Sequence, residues 1–540
     1  MNKRALLIFL LVFSLSLVTF AGFGAEETPR EGGTLRVPAP YGGSITSLDP
    51  ARTSRNQSTL VFRNIFENLV EIDPSSLEIV PGVAESWEVS EDNLTYTFHM
   101  REGVKFHNGQ EVTASDVKYT YERLMDPEVA SVGTDLFDLV EGAEAFQEGE
   151  ADEISGIKIL DDYTVEITLT RVHPNFLYDV AGGSNYNAAI VPQEVVEEEG
   201  DEFTNNPIGC GPFKFEKWNR GSSVELSAFD DYYGTGPYID ELIVMVMEES
   251  PARVASFKSE ELDFDIVYPE QYAQYQQNPE YEDLLVEVAE LWTRNVAFNF
   301  DLEKLQDKRV RKAFNYAIDE QLILEKLLNN KAYPGRSWLP NSSPAFNSEL
   351  EPYGYDPEKA KELMEEAGYT QDDPLHLEIN GVDHPAWGIP MVETIKPYLD
   401  DVGFEIEPVL LDGSTHEQRV LEGDFEAFIW SNGGEITSLA YMSSFYSGVS
   451  RSAGNFTAYS NPEFDEMYEE ARKTVDFEER KKIIQEMDAL IHEEAPVWFF
   501  NYNKAVGIHQ PWVHGIVQAP QDMVYQPWNE VWVDEDSPRA

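Results

Sequence analysis

Two pairs of adjacent histidine and glutamate residues come closest to a catalytic or metal-binding pattern in this chain. His416-Glu417 and His492-Glu493 begin like the zinc-protease motif, but neither pair has the second histidine that completes that motif. The chain also has no nucleophile elbow, no phosphate-binding loop and no pair of closely spaced cysteines. We therefore expect no metal, no cofactor and no catalytic residue.

Paired carboxylates are the other chemistry that the composition could support, since two acids at a set separation can hydrolyse glycosidic bonds. The 99 acidic residues provide so many candidate pairs that no single pair stands out. We therefore predict that the protein is not an enzyme, and a secreted hydrolase is the alternative from a different functional class.

The acidic residues are more informative as a property of the surface. Lys and Arg number 39 against 99 Asp and Glu, which gives a formal net charge of −60. Such a charge repels nucleic acids and anionic membranes, so neither is an expected partner. The acids are spread along the chain, which favours a solvated surface adapted to high salt, where the Debye length shrinks to about 3 Å at 1 M. The alternative is a surface that attracts cationic ligands.

The first 25 residues have the order of a secretory signal peptide. Lys3-Arg4 precedes an apolar run from Ala5 to Phe20 and small residues up to Ala25. Cys210 is the single cysteine, so it forms no internal disulfide and cannot carry a lipid anchor beside the signal. We expect Cys210 to be a small buried residue and the mature protein to be soluble in the periplasm.

The residues from Pro81 to Met125 predict two strands, a tight turn and a helix. Trp87 to Val89 and Tyr96 to Met100 alternate apolar and polar side chains with the period of half-buried strands. His107-Asn108-Gly109 then suits a turn that needs positive φ angles. The helix that follows completes a compact unit of local structure.

Several helices carry start and stop signals. Thr113 or Ser115 can cap the helix of that unit, and Asp356-Pro357 opens another helix that Gly368 closes. Apolar spacing predicts a further helix over residues 61–70. Helices that alternate with short strands in this way imply an α/β architecture.

Several strings resemble one protein family. They are similar to the signature of the extracytoplasmic solute-binding proteins of the oligopeptide, dipeptide and nickel class, called family 5, which serve ABC transporters. In the string from Asn206 to Phe213, the family usually has threonine where this chain has Cys210. The strings are Ala84 to Trp87, Arg101 to Gly109, Thr113 to Val117, Asn64 to Val70, Asn206 to Phe213 and Arg309 to Asp319.

The resemblance implies a fold and a domain organisation. The fold is the periplasmic-binding-protein type II fold, an α/β fold with two hinged lobes and an additional small domain. Domain I would be discontinuous, over residues 26–70, 190–294 and 505–540. Domain II would cover residues 71–189 and domain III residues 295–504.

The resemblance also implies where a ligand binds, in a cleft between the hinged domains. One matching stretch is Ser54-Arg55-Asn56, for which the alternative is a solvated loop. Another is the aromatic strand in which Trp498, Phe500 and Tyr502 share one face. That face lines the cleft or, alternatively, belongs to the core.

The third stretch, from Phe428 to Glu435, departs from the family pattern. Trp430 is expected as a wall of the cleft, with Asn432 beside it. Peptide-binding members resemble this stretch with an aspartate that binds the ammonium group of the ligand, but here Gly433 stands at that position. Glu435 projects to the same side as position 433 if the backbone stays extended, and replaces the missing acid or else faces solvent.

The predicted function is that of the periplasmic binding component of an ABC importer. We expect a monomer that binds an oligopeptide-like or dipeptide-like solute and delivers it to permease subunits. An oligosaccharide stacked on aromatic rings is the second hypothesis, because the amine-binding acid is missing, and a nickel complex is the third. Trp292, Trp387 and Tyr441 are additional aromatic candidates without a motif.

Overall fold

The computed structural model describes residues 28–40, 43–247, 250–384, 387–517, 519–521 and 523–540. The predicted signal peptide, residues 1–25, lies outside the described residues. Within the described ranges, none of the helices combines the length and the apolar character that a membrane span requires.

Nineteen strands are described along these ranges. They are β1 (Thr34–Pro38), β2 (Val70–Ile72), β3 (Ile79–Pro81), β4 (Ala84–Val89), β5 (Thr95–Met100), β6 (Ile157–Asp161), β7 (Thr164–Thr168), β8 (Phe213–Asn219), β9 (Ser223–Ala228), β10 (Glu241–Met245), β11 (Phe264–Ile266), β12 (Leu285–Phe298), β13 (Ala332–Pro334), β14 (Leu375–Gly381), β15 (Phe404–Leu410), β16 (Ala427–Gly433), β17 (Val497–His509), β18 (Val513–His514) and β19 (Trp532–Val533).

Sixteen α-helices are described between them. They are α1 (Asn56–Ile65), α2 (Ala114–Met125), α3 (Ala143–Gln147), α4 (Phe176–Val180), α5 (Gln193–Glu199), α6 (Ser250–Lys258), α7 (Pro269–Gln276), α8 (Glu303–Gln306), α9 (Lys308–Ala317), α10 (Glu320–Lys326), α11 (Pro357–Ala367), α12 (Ile389–Asp400), α13 (Gly413–Glu422), α14 (Ser438–Met442), α15 (Pro462–Ala471) and α16 (Phe477–Glu494).

Three larger sheets organise these elements into two lobes. The first lobe carries two four-stranded sheets, with the orders β1-β10-β9-β8 and β4-β5-β7-β6. The second lobe carries a seven-stranded sheet of order β11-β17-β12-β16-β14-β15, in which β13 also pairs with β17. Parallel pairs such as β14 with β15 occur beside antiparallel pairs such as β12 with β16. This mixture of helices and strands confirms the predicted α/β class.

The unit from Pro81 to Met125 forms as its sequence predicts. Strands β4 and β5 pair antiparallel, and Gly109 has φ +87° in the turn that follows. Thr113 is the residue that caps α2, because it forms a capping box with Asp116. Helix α2 is anchored through a buried face that includes Val117 and Tyr121, which belongs to the core over the sheet.

The predicted helix over residues 61–70 is wrong in its bounds. Helix α1 covers Asn56–Ile65, and the chain becomes extended at Phe66, with φ −117°. The Ile65 carbonyl accepts a hydrogen bond from the backbone N–H of Gly211 at 2.9 Å, so this return segment takes the place of the next helical turn. Cys210, next to Gly211, is buried, as predicted.

Local signals also place α11 correctly. Asp356 accepts a hydrogen bond from the backbone N–H of Lys359 at 3.0 Å, and Pro357 is the first helical residue. Gly368 ends the helix in the left-handed conformation, with φ +96°.

The two long strands β12 and β17 connect the lobes. The predicted domain boundaries at 294/295 and 504/505 fall inside these two strands. The boundaries stay a prediction, but the strands are continuous across both of them. The relative position of the lobes therefore depends on this pair of strands.

A buried ion pair fixes the loop that leads to α1. Arg123 of α2 donates to both carboxylate oxygens of Asp49, at 3.0 and 2.6 Å, and both side chains are almost fully buried. Asp49 also accepts from the backbone N–H of Ala51 at 3.1 Å. The start of α1 is thus held against the family-like unit.

We predict that Asp49→Ala lowers the free energy of unfolding by about 3 kcal/mol, because it leaves the Arg123 charge buried without its partner. Asp201→Ala is the matched control: Asp201 pairs with Arg52 at 3.1 Å but is 94% exposed, so its removal costs about 0.5 kcal/mol or less. Scanning calorimetry at one salt concentration compares the variants. Equal melting temperatures for the two would contradict the prediction.

Candidate functional site

Three adjoining cavities lie between the first and the second lobe. The largest has a volume of about 860 Å³, and the other two have about 480 Å³ each. Glu435 borders all three cavities, while Asn56 and Gly433 border two of them. The volume of the largest is in the usual range for small-molecule sites, roughly 300–1,000 Å³. The three together form one cleft between the lobes.

Four tryptophans line the largest cavity, which we call the tryptophan cavity. They are Trp292, Trp338, Trp387 and Trp430. Trp387 meets Trp430 edge-on, with ring centres 6.5 Å apart. Trp430 is thus a wall of the cleft in this structure.

Two histidines stack against these rings. His384 stacks on Trp387 at 4.3 Å and His416 on Trp430 at 5.0 Å. Burial lowers the pKa of each histidine to about 4, assisted by the nearby Arg294 for His384 and Arg419 for His416. Both imidazoles are therefore neutral near pH 7, and they support the indole rings without adding charge.

An irregularity in the β12–β17 pairing brings Trp292 into the cleft. Ala289 pairs with Lys504 and Thr293 with Tyr502, so three residues of β12 lie opposite Asn503 alone. Such a bulge bends the strand and changes the direction of its side chains. It also exposes the Leu291 carbonyl, which accepts hydrogen bonds from the Gly434 backbone at 2.6 Å and from the Tyr441 hydroxyl.

Gly433 has no room for a side chain. It has φ +153° and lies opposite Trp292, and a Cβ built there would overlap the Leu291 carbonyl oxygen. The aspartate that the family resemblance implies at this position in peptide-binding members therefore does not fit this backbone. The glycine at 433 is a consequence of the close approach of two strands.

Glu435 reaches the cleft by a different route from the one predicted. The extended backbone ends at Gly433, and Gly434 has φ +82°, so alternation along a strand does not set the direction of Glu435. Its side chain nevertheless borders all three cavities. Glu435 is exposed, and the described residues provide neither a hydrogen bond nor an ion pair to its carboxylate.

Several other carboxylates lie near Glu435. Desolvation by the cleft walls raises the pKa of Glu435, and the Asp135 carboxylate raises it further. Asp138 and Asp179 line the same cavity, which we call the acidic cavity. Burial raises the pKa of Asp179 to about 6, although His173 lies 2.7 Å from its carboxylate. Arg171 and Arg472 also line this cavity, but neither of these described residues forms an ion pair with Glu435, so the Glu435 carboxylate is available to a cation.

The predicted cleft exposure of the aromatic strand is wrong. Trp498, Phe500 and Tyr502 are at most 1% exposed, and Trp498 stacks on Phe500 at 4.5 Å within the core beneath the sheet. The Tyr502 hydroxyl accepts from the backbone N–H of Ser337 at 2.9 Å. The neighbouring Asn503 reaches the tryptophan cavity instead.

Of the three predicted residues at the start of α1, two line the cavities and one does not. Ser54 borders the cavity of about 480 Å³ that is also lined by Trp292 and Gly433. Asn56, the first residue of α1, borders that cavity and the tryptophan cavity. Arg55 is exposed and does not line any of the three cavities. Asn432 and Gly433 line the tryptophan cavity with Trp430.

The acidic part of the wall that the first lobe contributes was not predicted from the sequence. Asp135, Asp138 and Asp179 come from loops and a short helix that carry no motif. Their proximity to Glu435 is produced by the packing of the lobes. Trp292 and Trp387 were visible as aromatic candidates, but no pattern in the sequence connects them.

Comparison with known proteins identifies the family. Residues 78–454, well over half of the chain, match the bacterial extracellular solute-binding proteins, family 5. The chain belongs to this family. The implied two-lobe type II fold of periplasmic binding proteins is thereby confirmed.

Individual relatives are similar over nearly their full length. The chain is 28% identical to a haem-binding protein A of Haemophilus influenzae, over 87% of this chain and 86% of that protein. It is 27% identical to a dipeptide-binding protein of Escherichia coli, over 84% and 87%. An ABC-transporter-associated periplasmic binding protein of Helicobacter pylori, solved with the peptide STSA, superimposes with a TM-score of 0.73 at 23% identity, over 94% of this chain and 99% of that chain.

We predict that Gly433→Asp, which restores the acid of peptide-binding members, lowers the free energy of unfolding by about 1–3 kcal/mol, because the new side chain overpacks against Leu291. Gly413→Asp is the matched control, since Gly413 has open space and lies at the start of α13, where an acid is favourable. Urea unfolding at fixed salt measures both. A Gly433→Asp protein as stable as the parent would show that position 433 does accept a side chain.

Proposed function

We propose that this protein is the peptide-binding component of an ABC importer and that it encloses a short peptide between its two lobes. The observation that carries the proposal is Glu435, an acid without a cationic partner among the described residues, at the point where three cavities meet. The dipeptide-binding relative and the peptide-bound neighbour support the choice of ligand.

Glu435 would bind the terminal ammonium group of the peptide. A charge-assisted hydrogen bond of this type is short and roughly twice as strong as a neutral one. Desolvation and, to a smaller extent, repulsion from Asp135 raise the pKa of Glu435 in the free protein, and the ammonium would offset both effects. Glu435 thus takes the place of the aspartate that Gly433 excludes.

Closure of the lobes would complete the site. Two polar contacts already join the lobes across the cleft: Asn175 donates to the Thr437 hydroxyl at 3.0 Å, and the Ser184 hydroxyl donates to the Gly434 carbonyl at 3.0 Å. In each contact the residue from the second lobe, Thr437 or Gly434, lies within two positions of Glu435 in the sequence. A ligand that bridges the lobes stabilises the closed arrangement and excludes water from the ammonium site.

The first 25 residues and the net charge bear on the location and the partners of the protein. The signal-like residues 1–25 favour export to the periplasm as a soluble monomer that delivers its ligand to permease subunits. The net charge of −60 favours an environment of high salt and argues against nucleic acid as a partner. Binding followed by release, without catalysis, is the expected activity.

A thermal-shift panel in high salt tests the peptide assignment. We expect dipeptides or tripeptides to stabilise the protein by about 2.7 kcal/mol at 100 times their dissociation constant. Haem, glutathione and xylo-oligosaccharides complete the panel, since they represent other ligand types. Stabilisation by one of these compounds and by no peptide would overturn the assignment.

We predict that peptide affinity depends on the charge of Glu435. Above its raised pKa, Glu435 is ionised and affinity is full; as pH falls through that pKa, protonation competes with the ammonium and affinity decreases. Glu435→Gln should therefore bind at least about tenfold more weakly near pH 7 and should lose most of this pH dependence.

Calorimetric titration of one tripeptide at a series of pH values measures the effect. Glu417→Gln is the matched control, because Glu417 is exposed on α13 and away from the cleft. The same affinity and pH profile for Glu435→Gln and the parent would place the ammonium site elsewhere.

A further inference from the structure

Tryptophan is concentrated on one surface of this molecule. Of the ten tryptophans in the chain, four line the tryptophan cavity. Trp292, Trp387 and Trp430 are only half-buried, so part of each indole borders the open space between the lobes. Indole surface that is left open in a concave site is the kind of surface that a ligand covers, because each ring can bury a large apolar area.

The rings are held in place before any ligand binds. Trp430 is packed between His416 and Phe428, whose ring lies edge-on at 6.2 Å. Trp338 donates through Nε1 to the Tyr441 carbonyl at 2.8 Å. Side chains that are already fixed lose little conformational entropy on binding, so the contact they make is converted efficiently into affinity.

The glycines at the end of β16 keep the face of Trp292 accessible. The nearest atoms to a Cβ built on Gly434 belong to the Trp292 ring, at 3.4 Å. A larger residue at 434 would therefore cover part of that indole. The backbone at this point leaves room beside the ring, next to Glu435.

The charged residues that line the rest of the tryptophan cavity would not stabilise a charged side chain of the ligand. Glu290 accepts from the Asn503 amide at 2.8 Å, Arg294 donates to the Ser431 hydroxyl, and Lys331 donates to a backbone carbonyl. These charged groups of the cavity already have partners. Burying a further charge among them would be costly, whereas an uncharged ring meets indole and phenyl surfaces.

We propose, on the basis of the peptide-binding function above, that the tryptophan cavity selects peptides that carry a tryptophan, phenylalanine or tyrosine side chain. Glu435 holds the ammonium group while the aromatic side chain stacks among Trp292, Trp387 and Trp430. An alanine at the same position leaves the indole surfaces exposed to solvent. A lysine brings a positive charge to a wall whose described residues include, apart from Glu435, two cations, Arg294 and Lys331, and one acid, Glu290.

Titration calorimetry with the full chain in high salt tests this specificity. The probes are Ala-Ala-Ala, three tripeptides with a single tryptophan at the first, second or third position, and the three corresponding lysine peptides. We expect at least one tryptophan peptide to bind about tenfold or more tightly than Ala-Ala-Ala, and its lysine counterpart to bind no more tightly than Ala-Ala-Ala.

Three variants locate the effect. Trp387→Ala should reduce the affinity ratio between the best tryptophan peptide and Ala-Ala-Ala at least about threefold, and Trp387→Phe should restore most of it. Trp87→Ala is the control that keeps the ratio, because Trp87 lies on β4, outside the three cavities. Melting curves identify any variant that fails to fold, and in that case the comparison of the seven peptides with the parent protein decides the inference.

The outcomes separate the inference from the function on which it rests. Equal affinities for all seven peptides, or an unchanged ratio in folded Trp387→Ala, would overturn aromatic selection and leave peptide binding intact. The absence of binding by every peptide would overturn the peptide function and this inference together.

Discussion

The approach of the Leu291 carbonyl to Gly433 and Gly434 determines which side chains reach the cleft. This carbonyl lies in the bulge of β12, accepts from the Gly434 backbone at 2.6 Å and would be overlapped by any Cβ at 433. The same bulge directs Trp292 towards the ligand space. This backbone contact therefore excludes an acidic side chain at position 433. Glu435 is then the acid at the junction of the cavities, and the Trp292 indole is exposed beside it.

The electrostatics of the cleft follow from that arrangement. The cleft walls desolvate Glu435, Asp135 repels it, and no described residue pairs with it as a cation, so its charge is disfavoured in the free protein and its pKa is raised. A ligand ammonium removes this disadvantage. In a chain with a net charge of −60, high salt screens the distant charges but has little effect on a contact of about 3 Å inside a closed cleft. The ion pair between Glu435 and the ligand ammonium is thus largely independent of the charge on the rest of the surface.

The sequence predicts those parts of the structure that depend on neighbouring residues. The capping box at Thr113, the start of α11 at Asp356-Pro357 and its end at Gly368 form as expected, because their hydrogen bonds join residues close in the chain. The family strings likewise predict the two-lobe fold. Trp430 was expected on the cleft because its string resembles the family's, and it lines the tryptophan cavity in this structure.

The rest depends on contacts between distant segments. The faces of β17 could not be assigned from alternation, since both faces are buried and the pairing with β12 shifts register twice. Asp135 and Asp179 approach Glu435 only because the lobes pack together. A crystal structure of the complex with the tightest-binding tripeptide would show which group binds the peptide ammonium. We expect the peptide ammonium about 2.7–3.2 Å from a Glu435 carboxylate oxygen. An ammonium paired with another acid, with Glu435 left in solvent, would contradict this expectation.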